Sequence, residues 1–347
     1  MNRIMSPLVH SRIPERCSLF FSVLAMVAAL VVFADAQTQH AKYLRLKSTI
    51  DLPSVAGRID HMDIDLKTQR VFVAALGNNT IEVVDIKQGK KIEAIRGFEE
   101  PQGVLVLPDF NQLCVTNGGA GNCTFLDLNS FRILKTIESL EDADNIRYDG
   151  KTKLVYVAYG SGGLAVLDPS KAQLLRSLPL THHPESFQLE VTGSKLFVNV
   201  PGENKVVVFN RLGRALASWK LEGADNNFPM ALDERDHLLF VGCRTPARII
   251  VLDTKTGKTV TAIRIGGDVD DVFFDAERRR LYASCGEGFV DVVARQAVDR
   301  YENVDRLHTR PGARTSLLVP SLNLLVVAAP RSGGKDAQLL VYSIVNR

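Results

Sequence analysis

The chain has 347 residues, of which 46% are apolar and 23% are charged, an ordinary balance for a globular protein. This length allows one large domain or two of medium size. The formal net charge of +3 is too close to neutral to indicate a nucleic-acid partner or an anionic membrane surface on electrostatic grounds.

The first predicted element is an N-terminal export signal. Three arginines within the first sixteen residues precede an apolar run over residues 19–33, and Ala34-Asp35-Ala36 then fits the small-x-small rule for cleavage. The run is shorter than the roughly 20 residues that a bilayer span needs. We therefore expect residues 1–36 to be a signal peptide and the mature protein to be periplasmic or secreted, with no membrane span. The alternative is an uncleaved signal anchor.

A short apolar strand recurs seven times along the rest of the chain. Each copy is followed by a hairpin, which in the first three copies is rich in Gly and Asn, residues that accept the positive φ of tight turns. In most copies a third strand then ends on Asp or Asn, and a fourth strand closes the unit. Successive copies lie 41 to 44 residues apart, and they begin at Val71, Leu113, Val155, Leu196, Leu239, Leu281 and Leu325.

This repeat predicts an all-β fold, a seven-bladed β-propeller with four-stranded antiparallel blades. Four short strands in roughly 40 to 45 residues make one blade. A helical solenoid is excluded because the strands are β-branched, alternating and separated by turn signals. The chain ends after the third strand of the last blade, so residues 43–50 are predicted to supply its outer strand and close the ring. Residues 37–347 would then form a single domain.

The repeats, such as Val155-Tyr156-Val157-Ala158, resemble the YVTN β-propeller family, and in particular the YncE-like exported proteins. The resemblance covers nearly the whole mature chain and implies the fold, but propellers serve many unrelated functions. The repeats are also similar to the propeller domains of haem-containing nitrite reductases and of nitrous-oxide reductases. Those families' cofactors depend on histidine ligands. The mature chain does not support such cofactors, since its histidines are only His40, His61, His182, His183, His237 and His308.

Four cysteines remain after the predicted cleavage: Cys114, Cys123, Cys243 and Cys285. Export would permit disulfides, but the spacing is not that of a small disulfide-rich domain. No C-x-x-C pair is present, which argues against a zinc site. Buried free cysteines are the expectation, although the sequence alone leaves their pairing open.

The segments that enter the blades carry polar or ionisable side chains in every repeat. In a propeller these segments share one face with the hairpins between the second and third strands, and central-channel sites are commonly built on that face. Arg310 and Arg314 would offset the charge of the carboxylates. The alternative is that these segments are ordinary polar surface loops. The predicted ligand-binding residues at the channel mouth are Asp60, His61, Gln102, Asp144, Asn145, His183, Glu185, Asn227, Asp270, Asp271 and Arg314.

These residue types suit two kinds of chemistry. Carboxylates and amide carbonyls can hold a divalent cation such as calcium. Carboxylates and imidazoles can also act as a general acid or base beside a small polar molecule. Closely set carboxylates raise each other's pKa unless a positive charge compensates. The sequence identifies no catalytic residue, since it lacks the G-x-S-x-G, H-E-x-x-H and P-loop motifs.

Three functions follow as hypotheses. The first is an exported, monomeric binding or scaffold propeller that takes a small molecule or a protein at the channel-mouth face. The second is a hydrolase resembling the propeller lactonases, with a cation at the channel mouth. The third is an accessory role in an exported redox system, which rests on the family resemblance alone. Metal analysis of the purified protein discriminates best between the first two.

Overall fold

The described strands fall into seven antiparallel sheets of four strands each, which are the seven blades of a β-propeller. The computed structural model describes residues 42–160 and 163–346. The predicted signal peptide, residues 1–36, lies outside the described residues. Four-stranded blades and seven repeats confirm the fold class that the sequence predicted.

We number the blades 1 to 7 in chain order and name their strands from the channel outwards. Blade 1 contains β2 (Met62–Asp65), β3 (Arg70–Ala75), β4 (Thr80–Asp85) and β5 (Lys90–Arg96), and blade 2 contains β6 (Pro101–Leu107), β7 (Gln112–Asn117), β8 (Asn122–Asp127) and β9 (Ile133–Ile137). Blade 3 contains β10 (Ile146–Asp149), β11 (Leu154–Tyr159), β12 (Gly163–Asp168) and β13 (Gln173–Pro179), and blade 4 contains β14 (Phe187–Leu189), β15 (Lys195–Val200), β16 (Lys205–Asn210) and β17 (Ala215–Lys220). Blade 5 contains β18 (Asp225–Asp233), β19 (Leu238–Thr245), β20 (Ala247–Asp253) and β21 (Thr259–Arg264), and blade 6 contains β22 (Val269–Asp275), β23 (Arg280–Cys285), β24 (Phe289–Arg295) and β25 (Tyr301–His308). Blade 7 contains β26 (Thr315–Val319), β27 (Leu324–Ala329), β28 (Ala337–Ile344) and β1 (Leu44–Leu52).

The recurring apolar strand of the sequence is the second strand of each blade. It is buried on both faces because neighbouring blades pack face to face. Phe72 of blade 1 packs with Val104 and Leu113 of blade 2, for example, and Val71 packs with Val326 of blade 7. The core is thus divided into interfaces between adjacent blades, and the outer strands, such as β5 and β9, are largely exposed.

Local turn chemistry fixes the strand ends. Asp127, Asp168 and Asp253, at the ends of third strands, accept backbone N–H groups two or three residues ahead at 2.7 to 2.9 Å. They are therefore turn residues. Four 3₁₀ turns are each followed by an asparagine with φ between 51° and 57°, a left-handed conformation that asparagine tolerates. These turns are Leu76–Asn78, Pro108–Phe110, Pro201–Glu203 and Pro320–Leu322.

The N-terminal strand closes the ring. β1 pairs antiparallel with β28 over its whole length, with one bulge between Leu46 and Ser48. The backbone N–H of Tyr43 also donates to Asp305 Oδ2 at 3.0 Å, which ties the start of the strand to blade 6. Residues 43–50 therefore supply the outer strand of blade 7, as the sequence predicted.

The four cysteines of the mature chain are buried and free. The described residues form one compact unit. No helix among them is long and apolar enough to cross a lipid bilayer.

Candidate functional site

One position recurs in every blade, at the entry to the innermost strand. It lies eleven residues before the start of each recurring apolar strand. In blades 1, 3 and 4 the backbone N–H at this position donates to a carbonyl of the blade's second strand, at 2.7, 2.9 and 3.0 Å. Because the same hydrogen bond recurs, the side chains take up like positions around the channel. We call this set the channel-mouth ring, and its members are Asp60, Gln102, Asp144, Glu185, Phe228, Asp270 and Arg314.

His61 follows the first member of the ring, and its imidazole lies among three carboxylates. Nε2 is 3.6 Å from Asp60 Oδ1 and 3.9 Å from Asp144 Oδ1. Nδ1 is 3.9 Å from Asp271 Oδ1 on the channel side. Burial lowers the pKa of His61, but the three carboxylates together outweigh burial, so the net pKa is raised. The local field therefore favours positive charge at this position.

A second imidazole lies on the other side of Asp144. His183 Nε2 is 4.0 Å from Glu185 Oε1, and His183 Nδ1 is 2.8 Å from the carbonyl oxygen of Gly160. One ligand atom from each of Asp60, His61 and Asp144 lies within 4.8 Å of the others, and the same holds for Asp144, His183 and Glu185. Asp144 is thus shared by two histidine–carboxylate groups. We call these five residues the Asp144 centre.

Arginines neutralise two of the ring carboxylates. Arg58 pairs with Asp60 Oδ2 at 2.7 Å. Arg314 Nε lies 2.9 Å from Asp270 Oδ2, and Arg244 pairs with the other oxygen of the same carboxylate. Asp60 Oδ1 remains directed towards His61, so the arginine occupies only one of the two oxygens.

Three carboxylates have no such partner. Within the described residues, none of Asp144, Glu185 and Asp271 forms an ion pair with Lys or Arg. Burial, as the largest cause, raises the pKa of Asp144 to about 6, of Asp271 to about 7 and of Glu185 to about 9. The Oδ1 atom of Asp144 is buried without a hydrogen-bond partner, although Oδ2 accepts from Asn145 at 3.2 Å. The site therefore combines buried carboxyl groups that have no Lys or Arg ion pair with an unused acceptor.

Two cavities adjoin the ring. A cavity of about 320 Å³ fills the channel and is lined by the inner strands of blades 1, 2, 3, 4, 6 and 7. A smaller one of about 20 Å³ lies at the ring between Asp60, His61, Asp144 and Glu185. The smaller volume suits one water molecule or one ion. His61 lines both cavities, so it separates the mouth from the channel.

Sequence reasoning missed two arginines. Arg147 lines the channel cavity from β10, and its guanidinium donates to the carbonyl of Ile146 at 2.8 Å and to Asn145 Oδ1 at 3.2 Å. Arg244 is the last residue but one of β19, and its guanidinium lies 3.7 Å from the ring centroid of Phe228. Neither residue is in a blade-entry segment. The sequence feature that could have identified them is a charged residue within a strand: Arg147 lies in an inner strand, and Arg244 lies just before the hairpin on the mouth face.

Most of the predicted site residues lie at the channel mouth, but two take other roles. Gln102 belongs to the ring, yet its side chain donates to Asp142 at 3.2 Å, while its backbone carbonyl accepts from the His61 N–H at 3.2 Å. The Asn227 amide turns into the interface with blade 4, where it donates to Asn199 Oδ1 at 2.9 Å. Phe228 is the ring residue of blade 5, because it lies eleven residues before Leu239 and Asn227 lies twelve.

Arg310 also differs from the expectation that it offsets the carboxylates. Its guanidinium donates to the carbonyl oxygens of Pro330 and Asp336 at 3.0 and 2.7 Å. It therefore anchors a loop of blade 7, and the compensation at Asp270 comes from Arg314 and Arg244.

The chain matches no family model and no curated protein. Among solved structures it is similar to a chain of "Crystal Structure of Mitotic Checkpoint Complex", with a TM-score of 0.75 and 14% identity over 99% of both chains. It is also similar to a chain of "Kuenenia stuttgartiensis Hydrazine Synthase", with a TM-score of 0.70 and 17% identity over 78% of this chain and 92% of that chain. At these identities the likeness establishes the seven-bladed propeller fold and nothing finer.

Proposed function

We propose that this protein is an exported binding propeller that takes a small cationic ligand at its channel mouth. The propeller fold supports a binding or scaffold role in general. The observation that carries the choice of ligand is the buried, unpartnered Oδ1 of Asp144, which lies between two histidine–carboxylate groups. A buried acceptor without a partner is unfavourable unless a ligand satisfies it.

The charge balance supports a cation rather than an anion. The arginines of the mouth are already engaged with Asp60 and Asp270. A positive ligand would interact with Asp144 and Asp271, which form no ion pair with Lys or Arg within the described residues, and its charge would favour ionisation of Glu185. An anion would meet repulsion from the same groups. The neighbouring channel cavity gives room for the rest of a small ligand, since pockets of this kind begin at about 300 Å³.

Thermal melting with small cations tests this function. The probes are calcium chloride, methylguanidinium chloride and spermidine, each compared with sodium chloride at the same ionic strength. We expect at least one of them to raise the melting temperature of the parent protein, because a ligand at 100 times its Kd contributes about 2.7 kcal/mol to stability. Asp144→Asn should lose the response, whereas Glu93→Gln, an exposed carboxylate of β5, should keep it. An equal response in both variants would place the binding elsewhere.

One observation favours the hydrolase as a second candidate. The pKa of Glu185 is raised to about 9, chiefly by burial and then by Asp144, so its carboxyl group is protonated at neutral pH and can donate a proton to a leaving group. Hydrolysis of simple lactones by the parent and by Glu185→Gln tests this role. We expect a loss of about 100-fold or more in the variant. A parent rate equal to that of buffer would remove the candidate.

Fewer observations support a protein partner or a role in an exported redox system than support a cationic ligand. One of the similar structures is named as a complex, the mitotic checkpoint complex, and the other as an enzyme, hydrazine synthase. The first name is compatible with a protein partner at the channel-mouth face. The redox role and the YncE-like identity rest on the family resemblance of the repeats.

A further inference from the structure

We propose that the cation is a divalent first-row transition metal ion, held at the Asp144 centre by Asp144, His183 and Glu185, with Asp60 and His61 on the other side of Asp144. This inference rests on the proposed function, because it names the ligand of the same site. The cysteine spacing argued against a zinc site built from thiolates, and the Asp144 centre contains no cysteine.

The distances between the donor atoms suit ligands of one ion. His61 Nε2 lies 3.6 and 3.9 Å from the nearest oxygens of Asp60 and Asp144, and His183 Nε2 lies 4.0 Å from Glu185 Oε1. These separations are too long for hydrogen bonds. Two donors bound to the same metal at about 2.0 to 2.2 Å each lie up to about 4.2 Å apart. These donor atoms are thus not bonded to one another, and the cavity of about 20 Å³ lies beside Asp144 and Glu185, with Asp60 and His61 also in its lining.

The hydrogen bond made by His183 Nδ1 leaves Nε2 unprotonated and able to bind a metal ion. A carbonyl oxygen only accepts, so the 2.8 Å contact with Gly160 places the proton of the neutral imidazole on Nδ1. Nε2 then presents its lone pair towards Glu185. Histidines that bind metals usually donate their second N–H to a carbonyl or carboxylate, which fixes the tautomer in this way.

The donor set selects the class of metal. Calcium takes six to eight oxygen ligands, and magnesium keeps several waters. Imidazole nitrogens suit zinc, iron, nickel and copper, and a mixture of imidazoles and carboxylates is typical of such ions. One imidazole with two carboxylates, the donor set of each group, therefore favours a transition metal over the calcium that the sequence suggested.

Metal titration of the mature protein, stripped with chelator and dialysed, tests the proposal. Cobalt(II) is followed by its visible absorption, and zinc, calcium and magnesium by calorimetry. We expect saturable binding of zinc and cobalt, with zinc at least about tenfold tighter than calcium. Asp144→Asn and His183→Gln should each weaken zinc binding by about 10- to 100-fold or more, since even outer partners of a metal site have effects of this size. His308→Gln, which removes an exposed histidine of β25, is the matched control and should bind like the parent.

Other outcomes separate this proposal from the proposed function. Zinc binding that survives both Asp144→Asn and His183→Gln would overturn the metal site. The proposal also fails if calcium binds and zinc does not. If no metal binds, but spermidine or methylguanidinium still stabilises the parent through Asp144, the proposed function stands and the metal proposal is wrong. If no cation of any kind depends on Asp144, both are wrong.

Discussion

Asp144 is a carboxylate whose backbone is held firmly while its charge is left uncompensated. Thr116 Oγ1 donates to the backbone carbonyl of Asp144 at 2.6 Å. A Cβ added at Gly103 would lie 2.4 Å from the same carbonyl, so only glycine allows this close approach between blades 2 and 3. The residue is only 7% exposed, and its Oδ1 has no hydrogen-bond partner. Such an arrangement is typical of a site that trades stability for binding.

Asp144→Asn should therefore stabilise the protein when no cation is present. Burial and Asp60 raise the pKa of Asp144, which means that its ionised form is unfavourable in the folded state. Asparagine has the same shape without the charge. We expect a higher melting temperature for the variant than for the parent at pH 7.5 in chelator. A clear decrease would indicate that Asp144 is a structural residue and that its oxygens stabilise the loop.

The cysteines should be unreactive in the folded protein. Burial raises the pKa of Cys123 and Cys243 to about 12, and it also raises the pKa values of Cys114 and Cys285. A thiol reagent at pH 8 should leave the native protein unmodified, because the thiolate is the reactive form. In denaturant without reductant the mature chain should show four thiols. Rapid labelling of the native protein, or fewer than four thiols after unfolding, would contradict this.

At the scale of the element, the blades could be predicted because their signals are local. Turn residues, β-branched strands and a constant spacing occur within each repeat, and the structure has a strand wherever the recurring motif stands. Asn227 lies one residue off the spacing of the ring, which Phe228 occupies. One residue of slip moves a side chain to the other side of a strand. The contact of the Asn227 amide with Asn199 could not be predicted, since it depends on how blades 4 and 5 pack.

The closing strand gives a test at this scale. Removing residues 43–50 would expose the hydrogen-bonding edge of β28, and it would delete the buried Leu44 and Ile50 and so uncover Leu339 and Tyr342, which pack in the same clusters. We expect this variant to lose most of its soluble yield and to melt at a lower temperature. Removing residues 37–40 is the control and should have little effect. Equal behaviour of the two variants would contradict the closing role of the strand.

At the scale of the whole molecule, the site depends on the repeat register. Asp60 and Asp270 lie 210 residues apart in sequence, yet they are close in space, since burial and then the Asp60 carboxylate raise the pKa of Asp270. The equal distance of each ring residue from its recurring strand made this convergence predictable. The arginines near these carboxylates, Arg147 and Arg244, were less predictable. Each lies within a strand, and the direction of its side chain depends on how the blades tilt around the channel.

Mass measurement can test the predicted export of this chain. The basic lead, apolar run and Ala34-Asp35-Ala36 site predict that the mature protein begins at Gln37. Intact-mass measurement of the protein from the exported fraction of a bacterial host should give the mass of residues 37–347. A full-length product retained in the membrane would favour the signal-anchor alternative.

The most direct test of the cation site is an anomalous difference map from crystals of the parent protein grown with one equivalent of zinc. The account predicts a peak among Asp60, His61, Asp144, His183 and Glu185, at about 2.0 to 2.2 Å from Asp144 Oδ1. The same map from Asp144→Asn should show a weaker peak or none. A map with no peak at this position, or one whose only peaks lie on surface histidines such as His308, would contradict the account.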